Sequence, residues 1–246
     1  MVRSLIQYII KKIENLIHLF RTHRRVWWII FYTVIYMGGF QIMEKARHVH
    51  YHMIHTWLDD QIPFCEYFII PYVVWFFFNV WVVGWFVLHA QKREYYRLIT
   101  ALMLGMTVFL VVSVVYPNRL DLRPDYVDTT GLCGKLVALL YSTDTSTNVL
   151  PSIHVYNTVV LCHALNMNAL LRRRKGILVA CNVLGVLIIL STMFLKQHSV
   201  IDVSLGLVMG VLIQLVSDRI FETEEERSFV RETMLGRTSS SRRTAG

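Results

Sequence analysis

The chain has 246 residues, of which 54% are hydrophobic and only 17% charged, where soluble domains carry about a quarter charged residues. That balance excludes a water-soluble globule, a disordered chain and a nucleic-acid module, the last two for their need of charge over apolar bulk. The formal net charge of +8 fits a membrane protein with basic residues at the bilayer edge. Cys65, Cys133, Cys162 and Cys181 lie far apart without a CxxC pair, so neither zinc nor a disulfide framework is signalled.

In chain order, residues 1–25 interleave Leu5, Ile6, Ile9, Ile13, Leu16 and Ile17 with Lys11, Lys12 and Glu14, the pattern of a basic amphipathic helix lying on the inner leaflet. Stretches long enough to span a bilayer and free of Asp, Glu, Lys and Arg follow at 26–43, 67–91, 98–118, 145–171 and 176–195. A sixth, 198–217, is interrupted only by Asp202, an expensive residue at membrane depth. The predicted fold is therefore all-α and polytopic, a six-span membrane domain over 26–217 with an interfacial helix before it. A charged tail at 218–246 starts as a helix and ends disordered in SSSRRTAG. Between the first two spans, His48, His50, His52 and His55 read as an interfacial helix with no metal assigned, and the tryptophans as interface belts.

Charge sets the orientation. Arg21, Arg24 and Arg25, then Lys92, Arg93 and Arg97, then Arg172, Arg173, Arg174 and Lys175, with Arg219, all fall on one side of a six-span chain, which the positive-inside rule makes cytoplasmic, as are both termini. The acids Asp59, Asp60, Glu66, Asp121, Asp125, Asp128 and Asp144 collect opposite.

Polar residues gather at three places, all on that non-cytoplasmic side: Arg119 to Pro124, Pro151 to His154, and Lys196 to Asp202. His198 and Asp202 stand four apart, so on a helix the carboxylate can hold one ring nitrogen and leave the other free. His154 follows Ser152 and Pro151 at the head of the fourth span, Pro151 suiting a first turn. Arg123 adds a planar fork of donors suited to phosphate, and the helix N-termini add positive potential. Two histidines, a carboxylate and cations meet the needs of phosphoryl transfer without metal: one histidine attacks phosphorus, the other protonates the leaving oxygen, and Arg and Lys hold the charge.

At these residues the chain resembles the type 2 phosphatidic acid phosphatase superfamily over roughly residues 60 to 217. Pro151, Ser152 and His154 meet its PSxxH motif, with Ile153 where Gly is usual. Ser191, His198 and Asp202 meet its third motif, with Thr192 at the Arg position; Arg123 and Pro124 meet its first, with Tyr116 at the Lys position. The resemblance implies a membrane enzyme in which His198 forms a phosphohistidine, Asp202 orients it, His154 is the acid, and Arg123 and Ser152 bind phosphate. Lys196 is expected to replace the charge lost at Thr192, and Arg119 that lost at Tyr116. The expected reaction is hydrolysis of a lipid phosphate, with no cofactor and no nucleic-acid partner. One alternative is transfer of a phospholipid head group to a lipid hydroxyl, as in the family's sphingomyelin and inositol phosphorylceramide synthases. The alternative of another class is a transporter or non-catalytic lipid-binding protein.

Overall fold

A computed structural model describes residues 25–44 and 50–221. Nearly all of the expected interfacial helix at 1–25, His48, and the tail from residue 222 lie outside the described residues. In order, the elements are α1 (Arg25–Glu44), β1 (His52–Met53), α2 (Trp57–Gln61), a 3-10 turn (Glu66–Phe68), α3 (Ile69–His89), α4 (Lys92–Val115), β2 (Asn118–Arg119), α5 (Leu132–Thr143), α6 (Ile153–Met167), a 3-10 turn (Leu171–Arg173), α7 (Lys175–Phe194) and α8 (Val200–Ile220).

Five helices, α1, α3, α4, α7 and α8, are long and apolar enough to cross a membrane by length and composition. Phe77, Val80, Val111, Val114, Val186, Leu212 and Leu215 stand exposed on them, the side chains a bilayer would cover. The fourth expected span differs. Instead of 145–171, α6 has only 15 residues, about 22 Å at 1.5 Å per residue against a hydrocarbon core of about 30 Å. Pro151 is the physical reason: it disfavours helix in the residue before it, and it precedes the Ser152 N-cap instead of lying in the first turn. Residues 145–152 are non-helical, and the N–H groups of Asn148, Val149, Leu150 and Ser152 are satisfied internally. Asn118 Oδ1 accepts from the Val149 and Leu150 N–H groups at 2.9 and 3.0 Å, Asn118 O from Asn148 N, and Asp202 O from Ser152 N.

The short helix is the centre of the bundle, packed against α3, α4, α7 and α8. Two glycines let its neighbours close on it. A Cβ at Gly105 of α4 would lie 2.0 Å from the Tyr156 ring, and one at Gly206 of α8 would lie 2.7 Å from Ser152 O, beside Val155. Small residues at such crossings allow backbones to approach where lipid offers no hydrophobic drive. The approach at Gly206 brings α8 and the head of α6 together, and the two histidines with them.

The basic clusters at 92–97 and 172–175, with Arg219, share one end of this bundle, while Arg21 and Arg24 lie outside the described residues; Lys92, Arg93 and Arg97 form the first turns of α4 and not a loop. There Arg97 Nη1 and His163 Nε2 meet the Asp218 carboxylate at 3.4 and 3.1 Å, tying α4, α6 and α8. Glu94 accepts from Ala169 N and Asn168 Nδ2. The three motif segments occupy the opposite end. Two elements there were not foreseen. The 12-residue helix α5 lies in a segment read as loop, and the histidine-rich stretch is extended, with His52–Met53 pairing in parallel with Asn118–Arg119. Tyr116, at the lost lysine position, stacks on His52 with ring centroids 4.2 Å apart.

α1 packs on α4, where Tyr32 Oη donates to Met103 O at 2.7 Å, and Tyr36 and Phe40 lie against Phe109. Among α1, α3, α4 and the head of α6 lies a cavity of about 680 Å³. Its walls are mostly apolar, including Tyr36, Phe40, Trp75, Phe76, Met106 and Phe109, and it ends at His154 and His198.

Candidate active site

α7 ends at Phe194, and the chain turns sharply through Lys196, whose φ is 53°. Thr192 O accepts the Gln197 and His198 N–H groups at 2.9 and 3.1 Å, fixing where His198 emerges. The Thr192 side chain is buried and donates to Ile189 O, so this position carries no charge into the site. α8 begins only at Val200, with Ser199 as N-cap; His198 thus precedes the helix instead of opening it. The expected pairing forms nonetheless, because Asp202 at the third helical position reaches back. Its Oδ2 lies 2.5 Å from His198 Nδ1, at a site where a carboxylate ordinarily caps the helix.

His198 Nε2 faces His154 Nδ1 at 3.2 Å. The proton positions follow from the acceptor at the end of the chain. The Asp202 carboxylate only accepts, so His198 Nδ1 donates to it; in the neutral ring Nε2 then keeps its lone pair and takes the proton of His154 Nδ1. The His154 ring is wedged against Trp75 and Tyr72, with centroids 4.2 and 4.8 Å away. The result is a nucleophilic nitrogen oriented by a carboxylate, beside a ring holding a transferable proton.

The other expected site residues lie behind this pair. Ser152 is fully buried and caps α6, accepting from Val155 N at 3.4 Å. Arg123 Nη1 donates to Tyr141 O and Asp144 O at 3.2 and 3.0 Å, and Nη2 to Gln197 Oε1 at 3.0 Å. Its guanidinium lies 4.5 Å over the Tyr141 ring. Burial pushes the Tyr141 phenol up to about 12 against the opposing pull of Arg123, so it stays protonated and donates to Leu195 O at 2.8 Å. Lys196 Nζ donates to Asp59 O and Ile62 O. None of Ser152, Arg123 and Lys196 borders the cavity, whereas Gln197, Asn148 and Asn157 do. Arg119 is exposed on β2. Asn148 Oδ1, Asn157 Oδ1, Gln197 Nε2 and Asp202 Oδ1 are buried and have no hydrogen-bond partner among the described residues.

Asp59 was missed. It is 2% exposed, and its carboxylate accepts from Val200 N at 2.8 Å, Ser199 Oγ at 2.7 Å and Thr56 N at 2.9 Å. The N-terminus of α8 is therefore occupied by an anion of the chain itself, which displaces the expectation that its N–H groups serve the phosphate. The Thr56-x-x-Asp59 spacing marks a local helix cap, but nothing in the sequence links Asp59 to Ser199 and Val200, about 140 residues away. Asn157 could have been found, as a polar residue in an apolar helix one turn after His154. Asp59→Ala is expected to cost about 2–4 kcal/mol, because three buried or part-buried donors lose a charged acceptor. Denaturation of the purified protein checks this, and an unchanged midpoint would show the cap to be dispensable.

A family model described as the PAP2 superfamily matches residues 95–225. The chain belongs to the PAP2 superfamily. PAP2 proteins are generally phosphatases or phosphotransferases acting on phosphate esters, with phosphate-containing lipid substrates in membranes. No curated protein and no solved structure matches the chain. The PAP2 match takes in all three motif segments, from Arg123 to Asp202, whereas α1, α3 and Asp59 precede it. The far wall of the cavity and the cap on α8 thus come from outside the matched region.

Proposed function

We propose that this PAP2 protein is a membrane lipid phosphatase, hydrolysing the phosphate ester of a lipid phosphate of the phosphatidic acid type through a phosphohistidine on His198. The observation that carries this reading is the hydrogen-bonded series from Asp202 through His198 to His154 at the head of an apolar cavity of about 680 Å³. Lipid tails fit the aromatic and aliphatic walls between α1, α3 and α4, with the phosphate raised to the two rings. By the positive-inside rule the end carrying Arg97, Arg172 and Arg219 faces the cytoplasm, and the site faces the other side.

The phosphate enters between the histidines, which part to admit it. The His198 Nε2 lone pair forms an N–P bond, the P–O bond to the lipid breaks, and His154, which enters the step as the imidazolium, passes its Nδ1 proton to the departing oxygen to give the lipid alcohol and is left neutral. Asp202 holds Nδ1–H and offsets the positive charge that grows on the ring. A water then attacks phosphorus and gives its proton to His154; the N–P bond breaks and orthophosphate leaves. Both half-reactions balance without a metal or another reactant.

The test is a lipid phosphate labelled in its phosphorus, offered to the purified protein with and without an added lipid alcohol. Free labelled orthophosphate in equal amount under both conditions is the expected result. Label recovered in a new phospholipid would assign the chemistry to group transfer, and binding without any release would leave a non-catalytic lipid-binding protein.

A further inference from the structure

We infer that Gln197, held by Arg123, is the residue that hydrogen-bonds the phosphate in this site, so that the nearest cation acts through a neutral amide. The inference rests on the reading that a phosphate occupies the cavity head.

Four observations carry it. First, the amide has a chemically determined orientation. Arg123 only donates, so the atom it meets at 3.0 Å is the carbonyl oxygen Oε1, and the other end of the amide must be the N–H donor Nε2. Second, Gln197 is 4% exposed and Nε2 has no partner among the described residues. A buried donor left unpaired carries an uncompensated desolvation cost, which a phosphate oxygen would remove. Third, Gln197 borders the cavity directly beside the nucleophile, and its backbone shares with His198 the anchoring carbonyl of Thr192. Fourth, neither of the nearby cations borders the cavity. Arg123 spends Nη1 on the Tyr141 and Asp144 carbonyls and Nη2 on Gln197, its buried Nε having no partner among the described residues, and Lys196 donates to the Asp59 and Ile62 carbonyls. With Thr192 and Tyr116 at positions where the family carries cations, an amide polarised by the guanidinium behind it takes over their contact. Arg123 is then a positioning residue, and Gln197 the one that touches substrate.

The experiment measures binding of inorganic phosphate to the full-length purified protein by calorimetry, beside turnover of a lipid phosphate. Gln197→Met keeps the length and removes the donor, and is expected to weaken phosphate binding about 10- to 100-fold. Gln197→Glu keeps the acceptor for Arg123 but turns a carboxylate toward the phosphate, and is expected to weaken it further; being isosteric, it carries the test if the methionine variant fails to fold. Arg123→Lys is expected to weaken phosphate binding in the parent protein, yet by less than about twofold when Gln197 is already Met, a non-additivity that a purely structural arginine would not show. If both Gln197 variants bind phosphate as the parent does, or the folded parent shows no saturable phosphate binding, the inference is overturned. Weakened binding in a protein that turns over no lipid phosphate would keep Gln197 and remove the phosphatase reading. Normal turnover with unaltered variants would do the reverse.

Discussion

Phosphate release from a lipid phosphate is expected to fall by about a thousandfold or more when His198 is replaced by alanine, the scale seen when a covalent nucleophile is removed and only binding remains. The reason is that His198 alone meets both requirements of the nucleophile. Its Nδ1 is held by Asp202 at 2.5 Å, and its Nε2 faces the transferable proton of His154. His154, by contrast, lies against the Trp75 and Tyr72 rings and has no carboxylate on its ring among the described residues. Rapid quenching with labelled substrate should trap acid-labile label on the parent protein, and none on the alanine variant. Release at the original rate by His198→Ala would remove the assignment, and label mapped to His154 would reverse the two roles.

Asp202→Asn is the second large effect, expected to lower turnover by about 10²- to 10⁴-fold with little change in phosphate affinity. The asparagine keeps the size of the side chain, but loses the charge that offsets the growing imidazolium. Its amide can also turn its N–H toward Nδ1, which moves the ring proton to Nε2 and blocks the lone pair that must attack. The fold should persist, since replacing a buried carboxylate with a neutral isostere relieves desolvation. Thermal unfolding checks that, and steady-state kinetics check the rest. A turnover within tenfold of the parent would mean that the carboxylate only ties the loop to the helix, and that orientation of His198 comes from the Thr192 carbonyl alone.

Much of this architecture is legible residue by residue. Apolar stretches free of charge mark α1, α3, α4, α7 and α8 because a bilayer accepts little else. The basic residues at Arg97, Arg172 to Lys175 and Arg219 predict that three motif segments far apart in sequence meet at one end, and they do. The partnership of His198 with Asp202 is also legible, although through a cap turn instead of a continuous helix. The limits of α6 differ from the uncharged stretch 145–171 because a run of uncharged residues is blind to Pro151 and to the Asn118 contacts that support a non-helical stretch within the protein. The helix α5 carries no span signal in the sequence, because it contains Lys135 and has only 12 residues.

What the amino-acid sequence determined by itself is the apolar, many-helix character of the chain, the end of the bundle at which the three polar segments meet, and the pairing of His198 with Asp202. These follow from local rules, the cost of charge in lipid and the spacing of neighbours along one segment. Only the tertiary structure decided which polar side chains border the cavity. Arg123 and Lys196 read equally well as phosphate ligands in the sequence, but each has a long, flexible stem that goes where acceptors are. Those acceptors, the carbonyls of Tyr141, Asp144, Asp59 and Ile62 and the amide of Gln197, are brought within reach by packing between elements up to about 137 residues apart. Hydrogen-bond energy falls off within a fraction of an ångström, so that choice is made by the folded contacts and not by the order of residues along the chain.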